Sequence, residues 1–193
     1  WASIARGERP IPPRAVMLTF DDGYRSVLEQ GVPVLERWTY PATVFICTDP
    51  VERQVRFWFD AVAERDGEAG VKRTRTLDFD AWRRAIGSAE MRAEIDDVHA
   101  PLTVGQLRRL ASHPLIAIGA HTVSHPVLSG MPLERQIDEI ARSRTSLEAW
   151  LERPVTAFAY PGGQPGADYD ARTIEALMQC GFVYGFTTVA RVA

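Results

Sequence analysis

The chain has 193 residues, 46% hydrophobic and 24% charged, with 22 basic against 25 acidic side chains, the composition of a single globular domain. A net charge of −3 and a pI near 5.8 give no electrostatic reason for a nucleic-acid or anionic-membrane partner, and no apolar run approaches the ~20 residues of a membrane span. Cys47 and Cys180 are too few for a disulfide framework; each sits beside apolar residues and reads as a buried free thiol.

Short apolar runs alternate with helical patterns. The first strand is expected at 15–20, ending at Asp21-Asp22-Gly23, followed by a helix over 25–38 and a strand at 42–48. Residues 49–102 then break the rhythm. They are charged, carry the cluster Phe57-Trp58-Phe59 and a helical stretch near 78–95, and read as an insertion leaving the end of the second strand. Thr103 can cap a helix running to about Ala111. A strand at 115–120 ends at His121-Thr122-Val123-Ser124-His125. A helix over 132–152 opens at Pro132 and stops before Pro154. A strand at 155–160 runs into Tyr160-Pro161-Gly162-Gly163. Asp170 can cap a helix that ends at Gly181, and a last strand lies at 183–188. The chain starts at Trp1 rather than Met and shows no signal peptide. It therefore reads as a fragment of a longer or processed protein. Compartment (bacterial cytoplasm, or cell envelope and beyond) and oligomeric state stay open.

Strands alternating with helices imply parallel pairing. In such folds functional residues gather at the C-terminal ends of the strands. Asp21, Asp22, His121, His125 and the Tyr160–Gly163 segment all fall there. Two imidazoles and a carboxylate leave a divalent ion an open position, as in catalytic zinc sites, and a second carboxylate is then free to act as a base. Each motif alone has a plainer explanation: Asp-Asp-Gly makes turns and caps helices, and two histidines four apart occur on surfaces. No Glu follows His121, which disfavours a His-Glu-x-x-His protease, and Ser124 lacks the flanking glycines of a nucleophile elbow.

Taken together the motifs resemble the polysaccharide deacetylase family, the NodB-like carbohydrate esterases. Thr19-Phe20-Asp21-Asp22-Gly23 is similar to its first motif, His121-Thr122-Val123-Ser124-His125 to its second, and Phe158-Ala159-Tyr160-Pro161-Gly162-Gly163 to its third. The resemblance implies an α/β fold, a deformed (β/α) barrel of about seven strands, forming a single domain over 1–193 with the 49–102 insertion over its active face. It implies removal of N-acetyl groups from an amino-sugar polysaccharide or oligosaccharide. An O-acetyl polysaccharide esterase and a catalytically degenerate glycan-binding module are the alternatives. Asp22, His121 and His125 would hold one divalent ion, zinc first and cobalt or nickel next. Asp21 would be the general base, and Tyr160, Pro161, Gly162 and Gly163 would form the substrate groove, the Gly162 N–H meeting the oxyanion. Trp58 is a possible substrate wall.

The chain departs from the family pattern in two places. Ala159 stands where many members carry an arginine that orients the base. No histidine follows His125, although members usually place there the acid that protonates the leaving amine. His99, at the end of the insertion, is the remaining candidate acid; His113 precedes its strand and belongs to the opposite end of the barrel.

Overall fold

A computed structural model describes residues 7–10, 12–86, 95–97 and 99–189. Five parallel strands form one sheet in the order β1-β2-β3-β4-β5, which is also their order in the chain. They are β1 Leu18–Phe20, β2 Ala42–Ile46, β3 Ile116–Ala120, β4 Ala157–Ala159 and β5 Tyr184–Phe186. Right-handed crossovers that always step the same way put every connection on one side of the sheet. That is the pattern of a (β/α) barrel, not of a doubly wound sheet, whose order reverses. Five strands, against the seven or so that the resemblance implies, are present among the described residues.

The strands alternate between two environments. Val44, Ile46, Ile116, Ile118 and Phe158 join the main core with Leu107, Leu110, Ile140, Leu147 and Leu177 from the helices. Phe45, Ala157 and Ala159 face the other way and make a small inner cluster with Phe186. The strands are shorter than the apolar runs because ladder pairing sets their length. β1 begins only where Leu18 meets Ala42 of β2, and Val16, ahead of that register, is exposed.

The helix expected at 25–38 has two parts. Residues Val27–Gly31 wind as a π-turn and α1 follows at Val32–Trp38, with Pro33 in its first turn, where a missing N–H is tolerated. The 49–102 segment forms α2 Thr48–Arg53, α3 Trp58–Arg75 and α4 Phe79–Ile86; α3 is broken at Gly67, where φ is 67°. Residues 87–94, the rest of the helical stretch expected near 78–95, lie outside the described residues. Thr103 caps α5 Val104–Ala111 in a reciprocal capping box with Gln106, and Asp170 does the same with Thr173 for α7 Ala171–Gln179. Between them α6 runs Leu133–Leu151, with Pro132 before its first residue. Both cysteines are free. Cys47 is buried, whereas Cys180 is only partly so, because it follows α7 near the surface. No helix among the described residues is long and apolar enough to cross a membrane.

Candidate metal centre

The three motifs meet where the strands end. β1 stops at Phe20, and the Asp21 carbonyl accepts the Gly23 N–H at 2.9 Å, closing a tight turn. Asp22 takes a left-handed conformation (φ 72°), which Asp tolerates better than most residues. Gly23 follows at φ 95°, and a Cβ there would come within 3.1 Å of Ile46 Cδ1, so the close approach to β2 needs glycine. The Asp22 carbonyl accepts the Cys47 N–H at 3.0 Å, and the His121 N–H donates to the Ile46 carbonyl at 2.9 Å. Asp22 and His121 thus flank the end of β2.

Asp22, His121 and His125 each offer a ligand atom, all within 4.8 Å of one another. Asp22 Oδ1 lies 3.6 Å from His121 Nε2 and 3.5 Å from His125 Nε2. These gaps are long for hydrogen bonds. They suit a shared ion: two ligands bound to a tetrahedral zinc at its usual bond lengths stand roughly 3.4 Å apart. Asp22 Oδ1 and His125 Nδ1 are buried without a hydrogen-bond partner, a costly condition that a cation at Asp22 would relieve for the carboxylate. His121 Nδ1 lies 2.8 Å from the Ala159 carbonyl. With its proton donated there, the Nε2 lone pair faces Asp22, the tautomer a metal ligand needs. Burial pushes the Asp22 carboxyl up to about 6, His121 opposing this and Asp21 and Asp60 adding to it. Burial, then the neighbouring His121 and the Arg75 cation, hold His125 well below the usual histidine range.

The turn between the histidines is not helical. Thr122 and His125 are both left-handed, at φ 67° and 58°. The His125 N–H donates to Thr122 Oγ1 at 3.0 Å, and Glu139 of α6 accepts from Val123 and Ser124.

Asp21 is exposed. It lines an open cleft of about 250 Å³ with Met17, Thr19, Phe45, Ala159 and Tyr160. A cleft of about 520 Å³ lies behind the histidine turn, between Ser124, Glu139 and Trp82, and contains none of the four motif carboxylate and imidazole groups. Tyr160 reaches the Asp21 cleft, but its N–H is taken by the Phe186 carbonyl at 3.1 Å and its ring stacks on Tyr169. Burial pushes its phenol up to about 12. Pro161, Gly162 and Gly163 do not line that cleft. Gly162, at φ 76°, lies under an ion pair from elsewhere: Arg75 Nη2 bonds Asp168 Oδ1 at 2.5 Å. A Cβ on Gly162 would stand 2.3 Å from Arg75 Nη2 and 2.4 Å from Asp168 Oδ2, so glycine is required.

The insertion reaches the centre through its aromatic cluster and through Asp60, which the sequence pattern did not single out. Trp58, expected as a possible substrate wall, packs within the insertion. It is only 3% exposed, its ring meets Trp82 edge-on, and its Nε1–H donates to the His125 carbonyl at 2.9 Å. The neighbouring Phe59, partly exposed, places its ring 4.8 Å from the His125 ring. Asp60 accepts the Tyr24 hydroxyl at 2.7 Å. His99 is paired with Asp96 at 2.8 Å. His113 pairs with Glu36 at the other end of β3.

Comparison with known proteins accords with this geometry. The family model described as "Polysaccharide deacetylase" matches residues 8–185. YxkH of Bacillus subtilis is 25% identical over 175 residues, 91% of this chain and 45% of its own length. The Escherichia coli poly-β-1,6-N-acetyl-D-glucosamine N-deacetylase is 32% identical over 87 residues, 45% of this chain and 12% of that protein. The chain thus spans less than half the length of these relatives. Among solved structures, the BpsB deacetylase domain from Bordetella bronchiseptica superposes with a TM-score of 0.66 at 21% identity, covering 96% of this chain and 68% of that one, a likeness of fold. With a match that runs through all three motifs, the chain belongs to the polysaccharide deacetylase family.

Proposed function

We propose that this domain removes N-acetyl groups from an amino-sugar polysaccharide or oligosaccharide, using one divalent ion held by Asp22, His121 and His125. The observation that carries the reading is the group of three ligand atoms within 4.8 Å of one another, Asp22 Oδ1 standing 3.5–3.6 Å from each imidazole, with an exposed carboxylate, Asp21, next to it in the chain. The relation to a poly-β-1,6-N-acetyl-D-glucosamine N-deacetylase supports an N-acetylated substrate. Two imidazoles and a carboxylate suit zinc, with cobalt or nickel as substitutes.

A divalent ion at this centre supplies Lewis acidity to an acyl oxygen and to water. The chain's residues do the rest. Asp21 accepts the proton of the water whose oxygen bonds to the acetyl carbon. In this reading the Asp21 proton passes to the leaving nitrogen as the C–N bond breaks, giving acetic acid and the amine, which become acetate and ammonium by proton exchange in water.

The test is acetate release from β-1,6- and β-1,4-linked N-acetylglucosamine oligomers by the zinc-loaded protein, before and after chelation. Release that stops on chelation and returns with zinc is expected. Release that persists in metal-free protein would refute the metal role, and release from O-acetylated glycans only would move the assignment to an esterase.

A further inference from the structure

The turn joining the two histidines has a backbone that its residues do not favour. Thr122 is β-branched, yet it is left-handed at φ 67°, and His125 is left-handed as well at 58°. Such a conformation persists only where the surroundings fix it. Thr122 Oγ1 restrains one end by accepting the His125 N–H. The span between is held from outside the motif. Glu139 Oε2 accepts the Val123 and Ser124 N–H groups, each at 2.9 Å, and Glu139 Oε1 accepts the Ser124 hydroxyl at 2.6 Å.

We propose that Glu139 is a positioning residue for the metal centre: from α6 its carboxylate clamps residues 123–124 and so sets the separation and orientation of His121 and His125. The proposal rests on the reading that these histidines and Asp22 hold an ion. Three features carry it. The donors that Glu139 collects all belong to the short span between the two imidazoles. A carboxylate presents only acceptors, so both oxygens can face donors at once, which an amide cannot do. And α6 is already anchored by the fully buried Ile140 and Leu147, so its packing does not depend on a carboxylate at position 139. Partners that orient ligating histidines in this indirect way typically change metal affinity by about 10–100-fold when removed.

The experiment measures zinc affinity of the whole 193-residue chain by competition with a chromophoric chelator, together with the visible spectrum of the cobalt-substituted protein. Parent, Glu139→Gln and Ser124→Ala are compared. Glu139→Gln keeps the size but turns an amide NH2 towards the turn's donors. It is expected to weaken zinc binding by about 10–100-fold and to shift the cobalt spectrum. Ser124→Ala removes one of the three bonds and should give a smaller change in the same direction. Both variants binding zinc like the parent, with superimposable cobalt spectra, would overturn the proposal, and a lowered melting temperature alongside unchanged affinity would reassign Glu139 to packing. If Glu139→Gln does not fold, Ser124→Ala decides, and unchanged affinity there overturns the clamp. A parent protein that binds no zinc removes the metal reading itself and the proposal with it, a result visible before any variant is compared.

Discussion

Replacing Asp22 with Asn should make the metal-free protein more stable while destroying the proposed metal site. In the metal-free protein burial raises the Asp22 carboxyl from its ordinary 3.8 to about 6. A folded-state value above the unfolded one means that the folded protein binds the proton more tightly. The stabilisation from protonation is complete below pH 3.8 and is lost as pH rises to about 6. Above that window the ionised carboxylate is a net burden. A shift of about two units corresponds to about 3 kcal/mol, and a domain of this size gains about 2–4 °C of melting temperature per kcal/mol. Metal-free Asp22→Asn at pH 8 should therefore melt roughly 6–12 °C above the metal-free parent. At pH 5, midway through that window, about half of that gap should remain, and it should close only below pH 3.8. Zinc should raise the parent's melting temperature and leave the variant's almost unmoved, since a neutral amide replaces a charged ligand. Calorimetry of chelator-treated protein at both pH values checks this. An Asn variant less stable than the parent at pH 8, or one that keeps the parent's zinc affinity, would refute the reasoning.

Three further outcomes are expected. Asp21→Asn should retain the metal but lose ~10²-fold or more in acetate release, the usual scale for a positioned general base; a variant that instead loses zinc would exchange the roles of the two aspartates. Phe59→Ala should raise KM for a long acetylated glycan more than for a short one, and Trp58→Ala should chiefly lower the melting temperature, because only Phe59 keeps exposed ring surface beside His125; the reverse assignment follows if Trp58→Ala alone carries the KM effect. Arg75→Ala and Asp168→Ala should each reduce turnover, with a double variant no worse than the more damaging single one, since each change breaks the same ion pair over Gly162; strictly additive losses would show that the pair does not act as a unit.

The strand ends were legible in the sequence because hydrophobic period and strand-end chemistry are local. A run such as Ile116–Ala120 has to be buried, and whatever follows it emerges at one rim of a parallel sheet. The helix caps at Thr103 and Asp170 were legible for the same reason. Other features depend on contacts distant in the chain. The strands ended up shorter than their apolar runs because register with a neighbour, not apolarity, fixes a strand's length. Three aromatics in a row do not reveal which one faces a site. α3 begins at Trp58, and successive helical residues point about 100° apart, so Trp58 turns to Trp82 while Phe59 turns to His125. Glu139, 14 residues beyond His125, carries no local signal at all: its partners exist only once α6 has folded behind β3.

The missing arginine shows the same division between motif and fold. Read as a string, Ala159 is simply a loss next to the third motif. In three dimensions its carbonyl serves the centre by meeting His121 Nδ1, a role that any side chain at the position would allow. A guanidinium still stands beside that motif, but it comes from Arg75 at the end of α3, over a Gly162 that has no side chain to exclude it. The insertion also supplies the Trp58 N–H on the His125 carbonyl and the Phe59 ring beside His125. The first two motifs place the proposed ligands, and several of the residues that surround them come from the least regular part of the chain. Variation in that segment is therefore where differences in glycan preference between members with the same motifs are expected to arise.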